Sequence, residues 1–167
     1  MSTIPPAGRS LPALALLGAT FLAAPALAQD AAGDDAVRAA VTQLFDGMRA
    51  ADTTMIRDVL HPDVRLLTVV DEKTAYRVAE TDMGRFLAAV AGAPVTFDER
   101  VGEVTVQVDE GLASAWMTYE FYAGETFSHC GVNAMQLVLD EPVADGTDPH
   151  WRIVHIIDTR RTEGCDE

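Results

Sequence analysis

The chain has 167 residues, 49% of them hydrophobic and 23% charged, with 12 Lys and Arg against 26 Asp and Glu and a formal net charge of −14. Length and apolar fraction suit one domain with a substantial core and exclude collagen, coiled coil and disorder. The acidic balance, the single lysine at Lys73 and the lack of any basic run argue against a nucleic-acid partner, which needs clustered Lys and Arg.

Arg9 is the only charged residue before Asp30, and an apolar run from Leu11 to Ala24 leads into Pro25-Ala26-Leu27-Ala28. Small residues at Ala26 and Ala28 form the pattern of a signal-peptidase site. Residues 1–28 are therefore expected to be a signal peptide cleaved before Gln29. The run is short for a membrane span and is interrupted by Pro12 and Gly18. The expected product is one domain, residues 29–167, with no membrane span, in a periplasmic or secreted location. That compartment is oxidising, so the only two cysteines, Cys130 and Cys165, are expected to form a disulfide. The competing state is a buried free Cys130 with a mobile Cys165. Neither belongs to a close C-x-x-C pair, so no metal site is expected from them.

Asp34 and Asp35 offer an N-cap to a first helix, in which Val37, Val41, Leu44, Phe45 and Met48 recur at helical spacing to about Ala51. Asp52 caps a short second helix with Met55, Ile56, Val59 and Leu60 on one side, which Pro62 is expected to stop. His61, before that proline, reads as a structural helix-end residue. Val64 to Val70 reads as a strand and Thr74 to Ala79 as a weaker one. Thr81 is the expected cap of a third helix, which ends at Gly92 and Pro94. Val101, Val104, Val106 and Val108 read as one strand, turning at Asp109-Glu110-Gly111. Leu112 to Tyr122 and Phe127 to Leu139 are long strands joined by a tight turn. A polar loop from Asp140 to His150, whose acids lack the D-x-D-x-D-G spacing of a calcium loop, precedes a last strand, Trp151 to Arg160. Helices first and an antiparallel meander last make the α+β class.

This order, with His61-Pro62-Asp63-Val64 entering a strand, Phe127 to Ala134 and Trp151 to Arg161, resembles the nuclear transport factor 2-like superfamily, in particular its exported bacterial members of unassigned function. The resemblance covers residues 34–165. It implies a cone-shaped fold of three N-terminal helices on a curved, mainly antiparallel sheet of about six strands. Ketosteroid isomerases, scytalone dehydratases, polyketide cyclases, transport adaptors and non-enzymatic binders share that fold, so fold alone does not give function. No residue-by-residue match to the isomerase Tyr/Asp/Asp site is found. The resemblance also implies a homodimer through the outer face of the sheet, which the three helices leave uncovered.

Alternation along strands sorts the polar candidates. Gly124-Glu125 as a two-residue loop pairs residues whose numbers sum to 249, setting Glu120 opposite His129, Thr118 opposite Gly131 and Trp116 opposite Asn133. A loop one residue longer or shorter brings Tyr119 or Phe121 beside His129 instead. A carboxylate opposite an imidazole fixes its tautomer and makes a base near neutral pH. An even register for the last hairpin places Trp151, Ile153, His155 and Ile157 on one face with His129, Gly131, Asn133, Met135 and Leu137, an apolar surface with two histidines and one amide, as in a ligand cavity. Asp158 and Arg160 then fall on the opposite face, and Asp158 with Arg160 or Arg161 reads as a surface ion pair. The candidate catalytic residues are His129, His155 and Glu120, and the candidate ligand contacts are Trp116, Tyr119, Asn133, Met135 and Ile153. The expected function is binding of a small apolar or amphipathic molecule. The alternative is a cofactor-independent isomerase, dehydratase or cyclase with a histidine base. No cofactor and no metal are expected.

Overall fold

The structure, a computed structural model, describes residues 26–140 and 150–165, with side chains from residue 33 onward. The expected leader up to residue 25 and the acidic positions Glu141, Asp145 and Asp148 lie outside the described residues. Helix α1 spans Ala26–Ala50 and so begins ahead of the expected cap at Asp34-Asp35. The stretch before those aspartates is rich in alanine, the best helix former, and has no proline, so the helix extends through it and across Gly33. The Ala28-Gln29 junction falls in its first turn.

Helix α1 ends in a left-handed residue, Ala51, with Asp52 N–H donating to the Gly47 carbonyl (2.9 Å) and Ala51 N–H to Met48 (3.1 Å). That closure satisfies carbonyls the helix leaves over. Asp52 then caps α2 (Thr53–Asp58) as expected, accepting from the N–H groups of Thr54 and Met55. Pro62 does not stop this helix. The helix has already ended at Asp58, and β1 (Leu60–Asp71) runs through the proline. The ladder of β1 with β7 is broken between Leu60 and Arg65, so Pro62 sits where no ladder donor is needed. His61 Nδ1 accepts from Asp63 N–H across the same irregularity.

Strand β2 is Tyr76–Thr81, and Asp82, not Thr81, caps α3 (Met83–Ala91) by accepting from Arg85 N–H. The valines expected in one strand divide between β3 (Phe97–Val101) and β4 (Thr105–Asp109), because residues 102–104 leave the ladder. There the Val104 carbonyl accepts from Arg38 of α1. Strands β5 (Leu112–Ala123), β6 (Thr126–Asp140) and β7 (His150–Thr159) complete a seven-stranded sheet, one more than expected. The strand order is β2-β1-β7-β6-β5-β3, with β4 also on the free edge of β5. Every pairing is antiparallel except β1 with β7.

The core lies between the helices and the inner face of the sheet. Val37, Val41, Leu44, Phe45 and Met48 of α1, Ile56 of α2 and Leu87 and Val90 of α3 are buried against Ala113, Ala115, Met117, Met135, Leu137, Trp151 and Ile153. Each large side chain removed from water there contributes roughly 1.5–3 kcal/mol. This is the α+β cone.

Two one-residue bulges set the faces of the meander. The turn at Gly124-Glu125 has the expected two-residue loop, Gly124 supplying the positive φ of 63°. Ser128 is then extra, so Phe121, not Glu120, faces His129, and Glu120 faces Cys130. In the same way Thr118 faces Val132, and Trp116 faces Ala134. Val154 is extra in β7: Trp151 and Ile153 follow the even register opposite Leu139 and Leu137, whereas His155, Ile156, Ile157 and Asp158 face Gln136, Met135, Ala134 and Asn133. A bulge reverses which side chains point inward beyond it. Ile156 and Asp158 therefore join the inner face, and His155 and Ile157 leave it.

The expected disulfide is formed. Cys130 and Cys165 are bridged with Cα atoms 5.7 Å apart, and Cys130 and Arg161 exchange two backbone hydrogen bonds of 2.9 Å. The chain that turns back to make this bond crosses Gly131, where a Cβ would lie 1.8 Å from the Thr159 carbonyl oxygen. Only glycine fits there.

Candidate functional site

A cavity of about 360 Å³ lies between the helices and the inner sheet face. Its walls are apolar: Leu44, Phe45 and Met48 of α1, Met83 and Phe86 of α3, Leu60 and Leu66 of β1, and Met135 and Ile156 of the meander. Glu80, Thr81 and Arg85 are exposed members of the lining on the β2–α3 side, and Glu80 is paired there with Arg65 at 3.0 Å. The sheet side supplies a compact polar group, Glu99, Asn133, Asp158 and Arg160.

Strands place three of the four, and Arg160 directly follows β7. Glu99 pairs with Phe121, which pairs with His129, and Asn133 lies between Met117 and Asp158. Asn133 (4% exposed) donates from Nδ2 to Glu99 Oε1 at 2.7 Å. Asp158 is 6% exposed, and its Oδ2 accepts from Arg160 Nε at 2.7 Å and lies 3.2 Å from the Tyr119 hydroxyl. That hydroxyl also reaches the Thr159 carbonyl at 2.9 Å. Asp158 Oδ1 is buried and has no hydrogen-bond partner among the described residues.

Burial sets the protonation of this group. Desolvation, reinforced by the negative charge of Asp158 and opposed by the Asn133 bond and Arg160, pushes the Glu99 carboxyl up to about 7. Glu99 thus exchanges a proton near neutrality. Burial first, then the charges of Asp158 and Glu99, raises the Tyr119 phenol, so it stays neutral and donates. Together these groups can accept a hydrogen bond, hold a neutral or ionised carboxyl, and move a proton at Glu99 Oε.

The expected site residues separate into three groups. Asn133 and Met135 line the cavity, and Tyr119 stands directly behind it, holding Asp158. Ile153 is fully buried in the core and does not line the cavity. Trp116, His155 and Glu120 do not reach the cavity at all. Trp116 is 57% exposed on the outer face. His155 lies between Gln136 and Arg65 on that face, because the Val154 bulge precedes it. Glu120 accepts from the Tyr122 hydroxyl at 3.0 Å. His129 does point inward, but it packs against Phe121 and Tyr119, with ring centroids 5.1 and 5.7 Å away, and Ser128 Oγ lies 3.0 Å from Nδ1. Burial, then the charge of Arg160, lowers its pKa.

Glu99, Asp158 and Arg160 were not among the expected site residues. For Glu99 a signal exists: in Phe97-x-Glu99-x-Val101 it occupies the parity of the two apolar residues. The Asp158–Arg160 pair is present, but on the inner face and not as a surface pair. No three His, Cys, Asp or Glu side chains among the described residues converge as metal ligands.

Residues 32–129 match the protein family described as "Putative lumazine-binding". The chain belongs to this family. No curated protein sequence matches it. Among solved structures it is similar to a Mycobacterium tuberculosis protein of unknown function, with 13% identity, a TM-score of 0.64, and 86% of this chain and 80% of that one covered. It is also similar to a nuclear transport factor 2-like protein with a cystatin-like fold from Novosphingobium aromaticivorans (14% identity, TM-score 0.58, 84% and 86% covered). A third is a Streptomyces avermitilis protein of the nuclear transport factor 2-like family, assigned provisionally as a dehydratase (14%, 0.58, 79% and 98%). At these identities the likeness concerns the fold, and that fold is the nuclear transport factor 2-like cone expected from the sequence.

Proposed function

We propose that this protein binds a small, largely apolar molecule in the cone cavity, with its polar end at Glu99, Asn133 and Asp158, after export to a periplasmic or extracellular space. The observation that carries the reading is a cavity of about 360 Å³ with apolar walls and one compact polar cluster. Such a composition orients a ligand through a few polar groups while apolar contact supplies most of the affinity. The family description makes lumazine, a bicyclic molecule with ring N–H donors, a natural first probe. Titration calorimetry with lumazine on the native protein and on Met135→Trp, which fills the cavity, tests the reading. Saturable binding lost in the filled variant supports it; binding that survives the filling refutes the cavity as the site.

A second reading, an acid–base enzyme of the isomerase or dehydratase type, is favoured by one feature. Glu99, raised to about 7, is matched to proton transfer at neutral pH. On this reading Glu99 replaces the histidines as the proton-transfer group. Dimerisation through the outer sheet face is part of the proposal, supported by the exposed Trp116 beside Ala134 and Ile157. Light scattering giving a dimer, and a monomer for Trp116→Glu, is the expected result. A monomer for the native protein at high micromolar concentration refutes it.

A further inference from the structure

A carboxylate offers about four lone-pair sites, and those of Asp158 are used unevenly. Oδ2 takes Arg160 and lies within reach of the Tyr119 hydroxyl, while Oδ1, on a side chain that lines the cavity, is buried and has no partner among the described residues. An enclosed acceptor left without a donor is costly, and more so when charged. Neither neighbour reaches it in this arrangement: Asn133 Nδ2 donates to Glu99 at 2.7 Å, Arg160 Nε donates to Oδ2, and no donor among the described residues meets Oδ1. The rest of the sheet-side cluster is also rich in acceptors, since Glu99 is a second carboxyl beside it. The positive charges of the lining are Arg160, already paired, and Arg85, exposed on the β2–α3 side.

We propose that Asp158 Oδ1 is the acceptor that reads the ligand's head group, so that the cavity selects molecules with an apolar body and a hydrogen-bond-donating head, a hydroxyl, an N–H or an ammonium, and disfavours carboxylates. The inference rests on the cavity being the binding site and adds the chemical class of the occupant. A donor head completes the shell of Oδ1, whereas a carboxylate head brings a third negative group to Glu99 and Asp158 and leaves Oδ1 unmatched.

The test uses three probes with one body, 1-naphthol, 1-naphthylmethylammonium and 1-naphthoate, titrated at pH 8 into the full mature chain with its disulfide intact. Methyl contacts from Met48 and Met135, measured by nuclear Overhauser effects, locate the bound ring. The naphthol and the ammonium are expected to bind at least about tenfold more tightly than the naphthoate. In Asp158→Asn the side-chain oxygen continues to accept from Arg160 and Tyr119, which turns the amide NH₂ to the Oδ1 position. The preference is then expected to vanish or invert. Equal binding of all three, with the methyl contacts present, overturns head-group selection and leaves the cavity as the binding site. Tightest binding of the naphthoate also overturns it and shows that Arg85 or Arg160 governs. A preference unchanged in Asp158→Asn removes Oδ1 as its source. No binding by any probe, or binding without the methyl contacts, overturns the cavity reading and this inference together. If Asp158→Asn does not fold, the ranking and contacts on the native chain still decide.

Discussion

Glu99 is a partly buried acid whose proton affinity the fold has changed, so replacing it with glutamine has a pH-dependent effect on stability. The unfolded carboxyl titrates at its ordinary 4.5 and the folded one at about 7. Because the folded acid keeps its proton to higher pH, its contribution is fully present below 4.5 and is lost as pH rises through 7. Each pH unit between the two values is worth ~1.4 kcal/mol, so the native protein forfeits about 1 kcal/mol by pH 5 and about 3 kcal/mol by pH 8. Glutamine keeps the Oε1 acceptor for Asn133 Nδ2 and matches the neutral acid in shape. Glu99→Gln is therefore expected to be more stable than the native protein by about 3 kcal/mol at pH 8 and by only about 1 kcal/mol at pH 5. Urea denaturation of both proteins across that range, with the disulfide intact, measures the difference. A difference that does not change with pH, or that shrinks as pH rises, refutes the assignment of Glu99 as the desolvated acid of the cavity.

Removing the disulfide, by Cys165→Ser or by reduction, is expected to cost about 3–4 kcal/mol from the 35-residue separation it closes, read from the same urea curves; an unchanged midpoint refutes a stabilising role. Gly131→Ala sets a methyl group against the Thr159 carbonyl and is expected to lose more than about 3 kcal/mol or to fail to fold, as a thermal melt will show. A near-native melting temperature means the tail does not cross there. Intact-mass measurement on protein from the exported fraction is expected to give a chain beginning at Gln29; a mass that retains residues 1–28 refutes cleavage at Ala28.

Local signals in the sequence carry far, and the site shows where they stop. The Asp52 cap, the Gly124-Glu125 turn and the cysteine pair each depend on residues a few positions apart or on the count of partners. All three appear as expected. Whether a strand residue faces in or out depends on every residue between it and the turn, so one unannounced insertion undoes the reading beyond it. Ser128 and Val154 are such insertions, and neither has a glycine or proline to mark it. The Val154 bulge moved His155 out of the cavity face and Asp158 into it. Glu99 was hidden differently. Its neighbours Asp98 and Arg100 give the segment the look of a solvated charge run, although Asp98 is engaged by Arg49 and Arg100 at 2.8 Å each and Glu99 points the other way.

The Cys130–Cys165 bond also makes residues 130–165 a covalent ring that contains most of β6, all of β7 and the stretch joining them. Asn133 and Asp158 both lie on that ring. A protease that cuts it once opens the circle without producing two molecules, and the strands on either side of the cut remain attached through sulfur as well as through the ladder. As long as the disulfide stays oxidised, the sheet half of the cavity can outlast a broken backbone. A nicked chain of this kind would run as one band until reductant is added.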